Sequence, residues 1–440
     1  MSGHTPSPFS NAFFDPTLNS LRYNTSQYGS PVFIVYGTQR VSVNLLEYFN
    51  FVGSKGGSKG GKGLGGGGGK KQSNQTFTVD VAFAICQGPV QVTGSVHGTG
   101  GYNRVWSNGG IAFFNQIGMN FYEGDDGQAP DGTFVSTDPN TPVIGYSGLA
   151  YVTGTPLQLG QSPALPNIQF EIAGFLRGTT GTNLPDDARP DLIIIDMLCN
   201  SRYGAGFPLG NLDVSGTISD YGNYCQAATL GMSLLMDRQQ PAARWLEEIT
   251  TLTNAAVVWS GSTLKIIPYT IGSISNNGTS WVSNFTWQYS FTDSDYINFG
   301  PTSDPVIVTR LDPATMTNWL ALEYYDSGNS FNTALVPTWD QSLIDQYGLR
   351  TEASVTGHEF TNPACANASV AYLLQRKAYV RTTVKFKVGW RFALLEPMDI
   401  ILITDSYSGL SQSAFRITSI EEDDNWELTI TAEEIPGITT

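Results

Sequence analysis

The sequence predicts a mainly β protein of the α+β class, with two antiparallel β regions on either side of a smaller α/β stretch. Three observations predict it. Apolar and polar residues alternate over short runs in both halves, the period of a strand with one face in a core. Charged residues make up only 14% of the chain while 48 of its 440 residues are glycine, which suits turn-rich β structure better than a helical bundle. Helical spacing is concentrated in the middle, between Arg189 and Tyr269.

A chain of this length holds roughly three domains, each with its own core. The expected division is an N-terminal tail (1–20), a first β domain (21–175), an α/β connecting domain (176–272) and a second β domain with one long helix (273–440). The tail is polar and spotted with Pro6, Pro8 and Pro16. Residues 31–36 read as a short apolar strand, Gly37-Thr38 as a turn, and 40–51 as a second extended run.

Residues 53–71 read GSKGGSKGGKGLGGGGGKK. Gly61-Lys62 is not followed by Ser or Thr, and residues 76–85 alternate like a strand, so the tract is no phosphate loop. Its composition predicts a flexible basic hairpin tip. Lys55, Lys59, Lys62, Lys70 and Lys71 are the candidates for meeting a partner and becoming ordered on assembly. Beyond it, Phe77, Val79, Val81 and Phe83 share a strand face, and 90–96 and 109–121 are extended. In the loop 122–131, Glu123, Asp125, Asp126 and Asp131 lack the calcium-loop spacing and closing glutamate. Turn chemistry is the expected role. Residues 143–152 and 167–175 complete the first β domain.

In the connecting domain Pro190 suits a first helical turn, and Asp191 favours that end of the helix dipole. Leu192, Ile193, Ile195, Met197 and Leu198 give an apolar surface too wide for an exposed helix, so the helix is expected to be buried. Gly204 and Gly206 break it, and an irregular connection follows. A second helix starts at Pro241, with Trp245, Leu246, Ile249 and Leu252 at helical spacing and Asn254 as its stop. Residues 256–259 and 264–267 form a hairpin about Ser260-Gly261-Ser262. The second β domain has strand-like runs at 276–299, 305–310, 319–325, 381–388, 400–404, 415–420 and 426–432. It also has a short helix capped by Asp340 and a long one at 363–379, with Pro363 near its start.

Chemistry is sparse. Lys and Arg total 23 against 38 Asp and Glu, a formal charge of −15, which argues against nucleic acid as the main partner. His4, His97 and His358 have no second histidine at metal-site spacing. No GxSxG elbow occurs. Glu247-Glu248 and Glu421-Glu422-Asp423-Asp424 read as solvated charge on a helix and in a turn. Trp245, Trp259, Trp319, Trp390 and Trp426 read as core or subunit contacts rather than sugar platforms. Cys86, Cys199, Cys225 and Cys365 are far apart and read as reduced small hydrophobes. The start has neither the basic nor the apolar region of a signal peptide, and no run approaches the ~20 apolar residues of a membrane helix. No catalytic, cofactor-binding or metal-ligating residue is assigned.

Several stretches carry a resemblance. RPDLIIIDMLCNSRYGAGFP, the Tyr224-Cys225 pair and WLEEITTLTNAAVVWSGSTLKIIPY resemble the central region of bacteriophage tail baseplate hub and tail tip attachment proteins, and of the gene transfer agent hub. TSQYGSPVFIVYGTQRVSVNLLEYFNF, FTVDVAFAICQGPV, FYEGDDGQAPDG, YSGLAYV, WDQSLIDQYGLR and WRFALLEPMDIILITD follow in the family's order. The resemblance implies two tail-tube-like antiparallel β-barrel domains joined by smaller α/β parts. It also implies a homotrimer that imitates a sixfold ring at the distal end of the tail. Expected partners are the distal tail protein ring, the tape measure protein and other tail tip or fibre proteins, with DNA passing transiently through the channel. No enzyme activity and no cofactor are implied. The alternative is a β-rich cell-wall hydrolase or polysaccharide-binding protein of a tail. Relatives often continue into long regions for receptor binding or fibre attachment. This sequence stops at Thr440, so the expectation is either that those functions lie on other proteins or that the chain is shortened.

Overall fold

A computed structural model describes residues 31–55, 75–90, 104–113, 117–136, 142, 144–180, 184–300 and 303–435. The chain is mainly β, 43% strand against 20% helix, as the composition predicted. It divides into two compact units, Met1–Phe175 with Leu235–Arg238, and Leu176–Leu234 with Gln239–Thr440.

The first unit holds β1 (Ile34–Val35), β2 (Thr38–Ser42), β3 (Asn44–Lys55), β4 (Gln75–Gln87), β5 (Arg104–Ser107), β6 (Gly110–Phe113), β7 (Asn120–Tyr122), β8 (Leu149–Gly160), β9 (Ile168–Ala173) and β10 (Leu235–Met236). Two four-stranded antiparallel sheets form, in the orders β2-β9-β5-β6 and β3-β4-β8-β7, while β1 pairs with β10. Val41, Val81, Phe83, Val105, Val152 and Phe170 are buried together in one core fed by both sheets. The extended run expected over 40–51 is two strands, because the chain passes from one sheet to the other at Val43. β4 keeps the predicted alternation through Phe77, Val79 and Val81, then is buried on both faces to Gln87. β8 begins at Leu149 and runs to Gly160. The strand was expected over 143–152; it runs further because register shifts against β4 accommodate Gly154 and Pro156. Gly124 fixes the loop before β8. It sits at φ +88°, and a Cβ there would lie 2.8 Å from both the Ala150 nitrogen and the Gly88 Cα, so only glycine lets these backbones meet.

The second unit begins with α1 (Pro190–Cys199), α2 (Ser219–Ala227), α3 (Ala242–Leu252), β11 (Ala255–Ser260) and β12 (Thr263–Pro268). α1, α3 and the hairpin were expected; α2 was not. Its sequence SDYGNYCQA is a poor helix former, and packing stabilises it instead. Tyr221 and Tyr224 are fully buried, with Tyr224 Oη donating to the Thr253 carbonyl at 3.1 Å. A Cβ on Gly222 would lie 2.2 Å from Arg189 Nη2, so glycine admits the Arg189–Asp191 ion pair (2.7 Å) against the helix. Asn254 ends α3 at φ +52°, the predicted stop.

The rest comprises β13 (Ser273–Asn276), β14 (Thr279–Val282), β15 (Trp287–Phe291), β16 (Tyr296–Ile297), β17 (Val306–Arg310), β18 (Trp319–Asp326), β19 (Asn332–Trp339), α4 (Gln341–Tyr347), β20 (Val355–Thr356), α5 (Pro363–Tyr379), β21 (Thr382–Gly389), β22 (Ile400–Asp405), β23 (Leu410–Glu422) and β24 (Glu427–Glu434). Asp340 caps α4, its carboxylate accepting from the Leu343 N–H at 3.1 Å, and Asn362 caps α5 through the Ala364 N–H at 2.9 Å. A three-stranded sheet, β19-β18-β20, stands beside a seven-stranded one in the order β15-β22-β23-β24-β21-β16, with β17 also on β21. That larger sheet is a half-barrel. Phe291 on its first strand packs against Phe386 on its fifth, ring centroids 5.1 Å apart, and Tyr296 Oη donates to the Thr404 carbonyl at 3.0 Å across the opening. A flat sheet could not bring those strands together.

Candidate assembly site

The half-barrel curls without closing. β15 pairs only with β22, and β17 only with β21, so among the described residues each leaves one edge without a strand. Such an edge offers backbone N–H and C=O groups to another chain. β15 exposes Trp287, and β17 exposes Ile307.

One end of the sheet is aromatic. The β21–β24 pair finishes at Gly389 and Glu427, and a tryptophan follows or precedes each. Trp390 and Trp426 meet edge to face with centroids 5.2 Å apart, yet they are 48% and 62% exposed. Leu394 nearby in sequence is 95% exposed. Trp426 sits at φ +62°, a costly conformation for a bulky residue. The turn that imposes it is built on Asp423, whose carboxylate accepts from the N–H groups of Asn425 (2.9 Å) and Glu427 (3.0 Å). Lys387 Nζ bridges Asp423 at 2.9 Å and Glu427 at 3.0 Å. These hydrogen bonds, to Asp423 first, hold the ammonium above its ordinary pKa. Exposed aromatics beside a charged rim are the composition of a protein interface.

The other sequence candidates are placed as follows. Lys55 ends β3 opposite Gln75; Lys59, Lys62, Lys70, Lys71, His4 and His97 lie outside the described residues. Asp131 spends its carboxylate on Thr133 beside it and on β8. It accepts from Thr133 N at 2.8 Å and Thr133 Oγ1 at 2.7 Å, and from Thr153. Burial alone raises its pKa, but the bonds from Thr153 and Thr133 outweigh that and bring it down to about 2. Gln128 organises the same loop, accepting from the Gly124 N–H at 2.8 Å. His358 Nε2 lies 2.9 Å from Glu323 Oε1, its ring stacked on Tyr325 at 4.2 Å. Glu247 meets Arg244 at an exposed 3.3 Å, and Gln240 donates to Glu248 at 3.3 Å. Trp245 is core, Trp319 half-buried, and Trp259 exposed with its edge against Phe207. Cys86, Cys225 and Cys365 are buried, Cys199 is half-buried, and all four are free thiols.

Sequence reasoning passed over Asp187, which is fully buried. Ser233 Oγ donates to its Oδ1 at 2.8 Å, and Cys365 Sγ lies 3.8 Å from its Oδ2. Burial pushes its pKa up to about 6, against the opposing bond from Ser233. Between the ordinary value near 3.8 and about 6, the folded chain therefore binds this proton more tightly than the unfolded one. Stability from this group is greatest below that window and falls as pH rises through it. Asp187→Asn removes the titration. Urea denaturation at pH 4.5 and 7.5 is expected to move in the variant's favour at the higher pH, by on the order of 2–3 kcal/mol relative to wild type. Parallel pH dependence in the two proteins would refute the assignment.

Residues 241–420, from the start of α3 into β23, match the family model described as "Putative phage tail protein". No curated protein matches the chain. Its fold is similar to that of a chain in the virion of a native gene transfer agent particle, with a TM-score of 0.58 at 14% identity, covering 98% of this chain and 92% of that one. A prophage tail protein from Listeria monocytogenes, gp18, aligns over 83% of this chain and 86% of its own at 11% identity and a TM-score of 0.32. The 43 kDa tail protein of prophage MuSo2 from Shewanella oneidensis aligns over 76% and 98% at 12% identity and 0.34. The resemblance to phage tail and gene transfer agent proteins expected from the sequence is thus met by the family model over 241–420 and by the fold of the gene transfer agent chain.

Proposed function

We propose that this chain is a structural component of a phage or phage-like virion, located in the tail, and specifically the hub of the tail tip. Three copies form a ring with pseudo-sixfold character, because each contributes two β domains, 21–175 and 273–440, of tail-tube type. The connecting region 176–272 joins them. The ring docks on the distal tail protein ring, receives other tip or fibre proteins, and encloses the end of the tape measure protein and the DNA channel. Its work is assembly, not catalysis.

The observation that carries this reading is that the tail family match takes in most of the half-barrel, whose two edges lack strands among the described residues. A ring in which each such sheet meets a neighbouring β domain edge to edge would remove those edges, which is the usual physical reason for β rings to close. A net charge of −15 suits a channel wall that DNA must pass without sticking.

The mass and symmetry of the particle formed by the purified protein with tail extract test the reading. A three-chain particle with threefold symmetry and an acidic lumen is the expected result. A stable two- or four-chain particle, or a strongly basic lumen, would overturn it.

A further inference from the structure

The second unit contains a cavity of about 270 Å³ that assembly at the sheet edges does not use. Among its lining residues are Tyr372 and Arg376 of α5, Arg416 of β23, Glu433 and Glu434 of β24, and Asn254, Tyr269 and Thr270.

Arg416 is only 6% exposed. Its Nη1 donates to the Tyr269 carbonyl at 2.6 Å, which leaves most of the guanidinium N–H groups without a protein acceptor among the described residues. Glu433, its cross-strand neighbour, is shared. Arg376 Nη2 donates to both Glu433 oxygens at 3.1 and 3.3 Å while lying 3.4 Å over the Tyr269 ring. Glu434 accepts instead from the Arg381 N–H at 2.5 Å. Arg416 therefore stands buried with most of its N–H groups unspent, beside a carboxylate that already takes two bonds from Arg376. Burial brings the Arg416 pKa down to about 10, against the opposing charge of Glu433. A second observation is independent. Asn254 is 6% exposed, and its Oδ1 has no hydrogen-bond donor among the described residues. A buried acceptor without a partner is costly.

We propose that this cavity binds a small carboxylate carrying an adjacent N–H donor, the group at the end of a peptide or in a free amino acid. The carboxylate meets Arg416 and Arg376, and the donor meets Oδ1 of Asn254. Tyr269 and Tyr372 give the substituent its flat walls. The site does not depend on the trimer reading, since all its residues come from one chain.

Calorimetric titration of the full chain with N-acetyl-L-alanine, its carboxamide and free L-alanine tests this. Saturable binding of the acid is expected near about 1 mM, with the carboxamide at least roughly tenfold weaker. Tighter binding of N-acetyl-L-alanine than of L-alanine assigns the site to a peptide end, and the reverse to a free amino acid. Arg416→Gln should abolish binding. Because that change also touches the sheet, Asn254→Gly serves as the second variant: glycine keeps the φ of +52°, so the fold stays and affinity falls roughly tenfold. Equal binding of acid and carboxamide, no saturation by the acid up to about 10 mM, or wild-type affinity in Asn254→Gly would overturn the proposal.

Discussion

Phe386→Ala is expected to destabilise the second unit by about 3–5 kcal/mol. Phe386 is fully buried on β21, the strand that pairs with β16, β17 and β24. Its ring meets Phe291 at 5.1 Å and Tyr296 at 5.5 Å. These contacts tie the open side of the half-barrel to its middle, so the cavity left by alanine lies where the sheet cannot collapse to fill it. Set against a typical domain stability of about 5–15 kcal/mol, the loss approaches unfolding. The first unit has its own core around Phe83, Val152 and Phe170 and should keep its stability. Tryptophan fluorescence separates the two, because Trp106 is the one tryptophan of the first 175 residues among nine in the chain. The urea transition seen by fluorescence should move to lower denaturant while Trp106, followed in variants lacking the others, does not. A loss under about 1 kcal/mol would mean that the ring contacts do not hold the half-barrel.

The parts legible in the sequence are those where local pattern and tertiary demand agree. α3 has four apolar residues on one face and a left-handed Asn254 at its end; the hairpin after it has Gly261 at φ +59°; α5 has Pro363 and a capping asparagine. α2 was illegible because Gly222 and the Tyr221/Tyr224 pair are chosen for packing, against helix propensity. β19 escaped notice because its buried and exposed sides differ so little: five of its eight residues are exposed and none is fully buried. The cavity was hidden for a related reason. Arg416 lies between Phe415 and Ile417, both buried, and so reads as the polar face of a half-exposed strand. Only the folded chain shows that face covered, with Arg376 of α5 reaching Glu433. The tryptophans were named at once, but whether an aromatic is core or contact is decided by what folds over it, and the chain does not state that locally.

For Trp390 and Trp426 the fold leaves them uncovered, and that makes a sharp expectation. Changing both to alanine removes side chains about half exposed in the single chain, so its unfolding free energy should shift by no more than about 1 kcal/mol. In an assembled ring, tryptophans at the centre of a contact typically contribute about 2–4 kcal/mol each. The two rings touch, so their losses will not simply add. A weakening of roughly 30- to 1,000-fold in self-association or in docking to tail extract is the expected range, read by sedimentation across a concentration series. Lys387→Ala provides the contrast: it removes the bridge to Asp423 and Glu427 at the rim, and an exposed rim charge should weaken association far less. If both substitutions leave association unchanged, the aromatic end is not a contact, and the strand edges bearing Trp287 and Ile307 must supply it alone. If the double variant instead unfolds, the tryptophans are bracing the turn at Asp423, and the strained φ of Trp426 is then a cost of folding rather than of presentation.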